Sequence, residues 1–270
     1  MQLYLFVIAT VVGYVACYDP NWESLDSCPC PEWFDKSKPG IFVHWGMYSV
    51  PAYATEWISR YWADKHKDVL DFINRNFPGQ SYGDLASKFS AADFTGKGSA
   101  DIVKASGAKY FVVTSKHHDG YTLWPSTTSL NWNAVDIGAH RDLIQEFKEG
   151  ITEAGIHFGL YFSQMDWFHH LYISDPHNKT TLYTDQVSLV QMRELIHNYE
   201  PDLLWSDGDW ERPDTYWKAT QFIAWLFNDS PVKDKIVVND RWGAGIPGHH
   251  GSYITGTDKF MPGKLLKRKW

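Results

Sequence analysis

Leu203-Leu204-Trp205-Ser206-Asp207-Gly208-Asp209-Trp210 is a short apolar run that stops at an acid flanked by Trp and Gly. A buried parallel strand ends in this way when it delivers a carboxylate into a pocket rather than into solvent. Trp205 and Trp210 supply flat apolar walls, and sugars present apolar faces to such walls. Gly208 lets the backbone turn away directly after Asp207. Taken alone, the stretch reads more simply as a strand followed by an ordinary Asp-Gly turn. The segments on either side decide against that.

Working outward, apolar runs at 40–45, 109–114, 157–162, 203–205 and 236–239 read as strands. Between them lie helical patterns at 100–106, at 142–154 and at 215–227, and a further one with Leu189, Met192, Ile196 and Tyr199 on one face. Strands alternating with helices imply βα units around a parallel sheet. Almost every strand ends in residues able to do chemistry: His44-Trp45, Lys116-His117-His118-Asp119, Tyr161 with Ser163, Asp207, and Asn239-Asp240-Arg241-Trp242. In a (β/α)₈ barrel the C-terminal strand ends converge on one face, which holds the active site. The fold expected is therefore α/β, a (β/α)₈-type barrel. An open doubly wound sheet is the alternative, but the first strand is not followed by a Gly-rich phosphate loop.

The chain has 270 residues, enough for one barrel-sized core, and 16% of them are aromatic, with 14 Trp. That aromatic content suits stacking against carbohydrate, although an aromatic-rich core would account for it equally. A formal charge of −7 makes nucleic acid an unsuitable partner. Residues 1–16 are apolar and uncharged, too short for a membrane span or anchor, and read with Cys17 as a signal peptide (1–17). The remainder, 18–270, reads as one catalytic domain. Cys28 and Cys30 are too close in sequence to pair with each other and too few for a zinc site. Asn178 and Asn228 head glycosylation sequons, which together with the leader point to a secreted or lysosomal route.

Glycoside hydrolysis needs two carboxylates and groups that hold sugar hydroxyls. Asp207 is the nucleophile candidate by position, and Glu56, in Thr55-Glu56-Trp57, is a second carboxylate beside an aromatic. His44, His117, His118 and Arg241 supply donors. A metal pair at His117-His118 is disfavoured because adjacent residues on a strand point to opposite faces, so no metal site is expected. Glu56 read alone also fits a solvated loop acid, Arg241 an ion-pair partner of Asp240, and Asp119 an acceptor from Lys116.

The segments Trp33-Phe34-Asp35, Gly40-Ile41-Phe42-Val43-His44-Trp45-Gly46, Glu56-Trp57, Ser115-Lys116-His117-His118-Asp119-Gly120, Trp205-Ser206-Asp207-Gly208 and Val238-Asn239-Asp240-Arg241-Trp242-Gly243 carry a resemblance. They are similar to the α-L-fucosidases of glycoside hydrolase family 29, in its animal lysosomal or secreted branch. The resemblance runs from about Trp22 to Trp270 and implies fucosylated glycans or glycoproteins as partners, a retaining mechanism and no cofactor; it leaves a homo-oligomer open. It implies that Asp207 is the nucleophile, that His44, Glu56, Trp57, His117, His118, Tyr161, Trp205 and Arg241 bind substrate, and that Glu56 is available as an auxiliary acid. Tyr161 matches less closely, because the family often has two tyrosines where this chain has Tyr161-Phe162. The family continues past Lys269-Trp270 with a Glu read as the acid/base, then completes the barrel and adds a β-sandwich. The expectation is accordingly a barrel incomplete at its C-terminus without that sandwich. Two function classes follow: an α-L-fucosidase, or a catalytically impaired fucose-binding remnant.

Overall fold

The computed structural model describes residues 17–270 except 260, 262, 265 and 267. The signal-peptide reading therefore falls, apart from Cys17, outside the described residues. Five parallel strands form one sheet in sequence order: β1 (Gly40–Val43), β2 (Tyr110–Lys116), β3 (His157–Ser163), β4 (Leu203–Asp207) and β5 (Val237–Val238). Each strand pairs in parallel with the next, and helix lies in every connection. The strand order steps in one direction and never reverses, which is the winding of a (β/α) barrel and not of a doubly wound sheet.

Period-2 alternation sorts the strand residues onto two faces. Phe111, Val113, Phe158, Leu160, Phe162, Leu204 and Val238 pack outward against helices Leu143–Glu153, Leu189–Tyr199 and Ala219–Asn228. Those helices answer with Leu143, Ile144, Phe147, Met192, Leu195, Ile196, Phe222 and Ile223, all buried. Full burial of each such side chain contributes about 1.5–3 kcal/mol, so this layer is the principal core. Val112, Tyr161, Leu203 and Val237 face the other way and form a smaller cluster with Phe34 and Tyr253. Tyr161 stands directly beside Trp205 in the β3–β4 register, and Ser163 beside Asp207. The acid at the end of β4 thus shares the inner face with Trp205 and Tyr161.

Three elements differ from the pattern in the sequence. The helix read from residue 100 begins at Gly96, where Thr95 Oγ1 accepts from Gly98 N at 3.0 Å. Gly96 and Gly98 depress helix propensity and hid the first turn. The helix read as 215–227 is two, Asp214–Trp217 and Ala219–Asn228, broken where Lys218 takes φ 52°. β5 is only two residues long, because Asn239 takes over the pairing with its side chain. Its Oδ1 accepts from Ser206 N at 3.1 Å and its Nδ2 donates to Ser206 O at 2.8 Å. The backbone after Val238 is therefore free to leave the sheet.

Helices Gly96–Ser106 and Leu143–Glu153 cross at glycine. A Cβ added at Gly96 would lie 1.8 Å from the Glu146 carbonyl oxygen. Gly96→Ala must push the two helices apart, and destabilisation by about 1–3 kcal/mol is expected, read as a lower urea midpoint at unchanged slope.

Candidate active site

A cavity of about 570 Å³ opens at the C-terminal strand ends. Its walls include His44, Glu56, Trp57, His117, His118, Tyr161, Trp205, Asp207 and Arg241, so every residue named from the sequence as catalytic or substrate-binding is gathered there. Trp210, Phe42, Tyr253, Thr255 and Asp258 complete much of the lining.

Asp207 is 7% exposed. Tyr161 OH donates to its Oδ2 at 2.6 Å, and Arg241 Nη1 donates to its Oδ1 at 2.9 Å. Burial, then the neighbouring Asp207 charge, raises the Tyr161 hydroxyl well above its ordinary range, so it stays a donor. Burial alone would lower the Arg241 guanidinium, but Asp207 and Asp258 outweigh it and hold it above its usual range. Arg241 also donates from Nη2 to Asp258 at 2.7 Å and from Nε to Thr255 Oγ1 at 3.1 Å. Asp240 is not its partner: Asp240 accepts from Gly248 N and from Thr255. Gly208, at φ 67°, makes the turn after the acid, and a Cβ there would come within 2.7 Å of Ser163 Oγ. Tyr161, not Phe162, is the tyrosine position that reaches the carboxylate. Phe162 lies on the outer face of β3, where the Lys116 ammonium sits 4.4 Å from its ring centre.

The histidines are set by hydroxyls. Thr114 Oγ1 donates to Val43 O at 3.1 Å, so its contact of 2.9 Å with His44 Nδ1 uses a proton carried by the ring. Ser163 Oγ likewise donates to Met165 O at 2.9 Å and accepts from His118 Nδ1 at 2.7 Å. In their neutral forms both rings then present Nε2 as an acceptor, suited to a sugar hydroxyl. Burial lowers His44, although Glu56 and Asp207 oppose it. Burial brings His118 down to about 4 even though Asp207, 3.8 Å from its Nε2, pulls the other way.

The opposite-faces argument for His117 and His118 fails. The register with β3 shifts between Thr114 and Lys116, and both histidines lie beyond the strand end. Their ring centres are 4.0 Å apart and both line the cavity. His117 stacks on Tyr161 with 5.8 Å between centres. Trp57 lies parallel to Trp210 at 6.1 Å and meets His118 edge-on at 5.5 Å. Glu56 is half-buried and accepts from Thr55 Oγ1 at 2.7 Å. Asp119 serves the fold: it is buried and accepts from Tyr82 OH at 2.6 Å and Tyr121 N at 3.2 Å, while Lys116 donates to Tyr183 OH. Thr114, Thr255 and Asp258 were not singled out from the sequence. A threonine inside an apolar strand was a readable signal for the first, whereas Thr255 and Asp258 follow β5 in a stretch without strand or helix pattern.

Cys17, Cys28 and Cys30 are free thiols. Asn178 is exposed at φ 55°, whereas Asn228 is half-buried with both amide atoms engaged by the Tyr18 backbone.

Aromatic walls around an ion-paired carboxylate at parallel strand ends are an arrangement in which barrel enzymes place their reacting groups. The α-L-fucosidase family model matches residues 7–270, and the chain belongs to that family. It is 51% identical over 259 residues to an α-L-fucosidase of Branchiostoma floridae, covering 94% of this chain and 58% of the relative. It is 48% identical over 257 residues to the tissue α-L-fucosidase of Homo sapiens, covering 94% and 55%. The chain thus spans little more than half the length of these curated relatives. The crystal structure of Thermotoga maritima α-fucosidase in complex with fucose superposes with a TM-score of 0.74 at 34% identity, covering 84% of this chain and 57% of that one.

Buried neutral His118 makes stability depend on pH. Its folded pKa, about 4, lies below the unfolded value near 6.5, so its contribution is complete above about 6.5 and lost as pH falls toward 4. Asp119 and Asp209, both pushed up to about 6 by burial, act in the opposite sense between about 4 and 6. Comparison with a variant isolates the histidine. The stability gap between wild type and His118→Gln is expected to narrow from pH 7 to pH 5 in urea unfolding.

Proposed function

We propose that this chain carries the fucose-binding, nucleophile-bearing part of a retaining α-L-fucosidase acting on fucosylated glycans or glycoproteins. The observation that carries this reading is Asp207 at the end of β4, fixed by Arg241 and Tyr161 inside the aromatic cavity. Family membership and the relatives named above support it.

In this reading an Asp207 oxygen attacks the anomeric carbon of fucose. A carbon–oxygen ester bond forms as the glycosidic bond breaks, and the leaving oxygen departs with a proton; water later cleaves the ester and releases fucose. Tyr161 and Arg241 orient the carboxylate. The Nε2 acceptors of His44 and His118 accept hydrogen bonds from the sugar's hydroxyls, and Trp205 offers a flat face. Glu56, on the cavity wall, is the auxiliary acid of this scheme.

Aryl fucosides with acidic phenols leave without help from a proton, so they test Asp207 apart from any general acid. A mechanism-based aryl fucoside label is expected on the peptide containing Asp207, and Asp207→Asn is expected to abolish labelling while keeping fucose binding in calorimetry. Label on a different carboxylate, with Asp207 unmodified, overturns the assignment.

The location proposed is secreted or lysosomal, supported by the apolar leader and the exposed Asn178 sequon. Protein made in animal cells should lose a glycosidase-sensitive mass increment on Asn178→Gln. The sequon at Asn228 is expected to stay bare, because its amide is tied to Tyr18.

A further inference from the structure

A second hollow, of about 350 Å³, is lined by Tyr82, Gly83, Trp132, Asp166, Phe168 and His169. The polar tips of its rings are already used. Tyr82 OH donates to Asp119 Oδ2 at 2.6 Å, and Trp132 Nε1 donates to Asp119 O at 3.0 Å. Asp119 is 2% exposed, so one buried residue clamps both rings and leaves their apolar faces as the working surface. Phe168, 45% exposed, lies 6.2 Å from Tyr82 and nearly parallel to it. Polar groups converge on the same hollow. Asp166 is 6% exposed, and its Oδ1 accepts from the backbone N–H groups of Phe168 and His169 at 2.9 and 3.0 Å. His169 Nδ1 accepts from Leu171 N at 3.3 Å, so the neutral ring carries its proton on Nε2, a donor. Rigid aromatic faces with one acceptor and one donor match a pyranose, which has an apolar C–H face and a rim of hydroxyls.

The loops after β2 and β3 connect the hollow to the main cavity. After β2, His117 and His118 line the cavity and the next residue, Asp119, holds the platform. After β3, Trp167 packs on His118 and Trp57 at 4.9 Å each, and the next residue, Phe168, lines the hollow. We propose that this hollow is a second carbohydrate site, which stacks a neutral hexopyranose of the glycan whose fucose enters the main cavity. The inference rests on the fucosidase reading for the identity of that glycan, and on the hollow itself for the class of ligand.

The test uses saturation-transfer NMR on the full chain with two probes, free fucose and a neutral unfucosylated disaccharide such as N-acetyllactosamine. Transfer to the disaccharide is expected in wild type and in the presence of excess fucose. It should weaken about tenfold in apparent affinity in Phe168→Ala, as loss of one stacking face implies, and be retained in Phe168→Tyr, with fucose transfer unchanged in both. A fucosylated trisaccharide should bind more tightly than either part, and that advantage should vanish in Phe168→Ala. No disaccharide transfer in wild type, or equal transfer in Phe168→Ala, overturns the second site. Loss of fucose transfer with disaccharide transfer kept would instead count against the fucosidase reading.

Discussion

Asp207 sits almost out of water between the Arg241 guanidinium at 2.9 Å and the Tyr161 hydroxyl at 2.6 Å. A carboxylate buried without such partners costs several kcal/mol, and removing one partner from such a pair is costly in turn. The neighbouring structure supplies those partners. β3 and β4 run in register so that Tyr161 stands beside Trp205 and two residues short of the acid. β5 stops after two residues, with the Asn239 side chain completing its pairing, and the released backbone brings Arg241 across to Asp207. Gly208 turns the backbone directly afterwards, and Trp210 returns to the cavity wall.

The same economy governs the neutral donors and acceptors. Thr114 and Ser163 spend their hydroxyl protons on backbone carbonyls, which fixes the ring proton of His44 and His118 on Nδ1. Burial keeps His118 uncharged despite the nearby carboxylate. Two imidazole acceptors beside the Arg241 ion pairs with Asp207 and Asp258 can hold hydroxyls without contributing charge of their own. The aromatic walls then select a ligand with an apolar face.

Loops after β2 and β3 each serve two surfaces. His118 faces the main cavity with Trp167 packed on it, while Asp119 and Phe168 build the second aromatic hollow. The barrel face thus carries two hollows, each walled in part by aromatic rings. No helix among the described residues is long and apolar enough to cross a membrane.

The alternation of apolar strands with amphipathic helices, and the polar residues at strand ends, made the barrel winding and most of the cavity readable in one dimension. Both depend on local periodicity, which survives translation into sequence. Glycine-rich helix starts, the break at Lys218 and the two-residue β5 were not readable, because close packing and side-chain pairing set them. The sequence also left Arg241 between Asp240 and other partners, paired Asp119 with Lys116, and put His117-His118 on opposite faces. Those choices belong to tertiary structure, since a register shift of one residue or a strand that ends early redirects a side chain by half a turn. Residue chemistry and its spacing therefore determined the α/β winding and the strand-end members of the site, and the resemblance in motifs added Trp57. Only the packed structure decided which carboxylate each cation meets, which nitrogen of each histidine faces the cavity, and that Asp258 joins them.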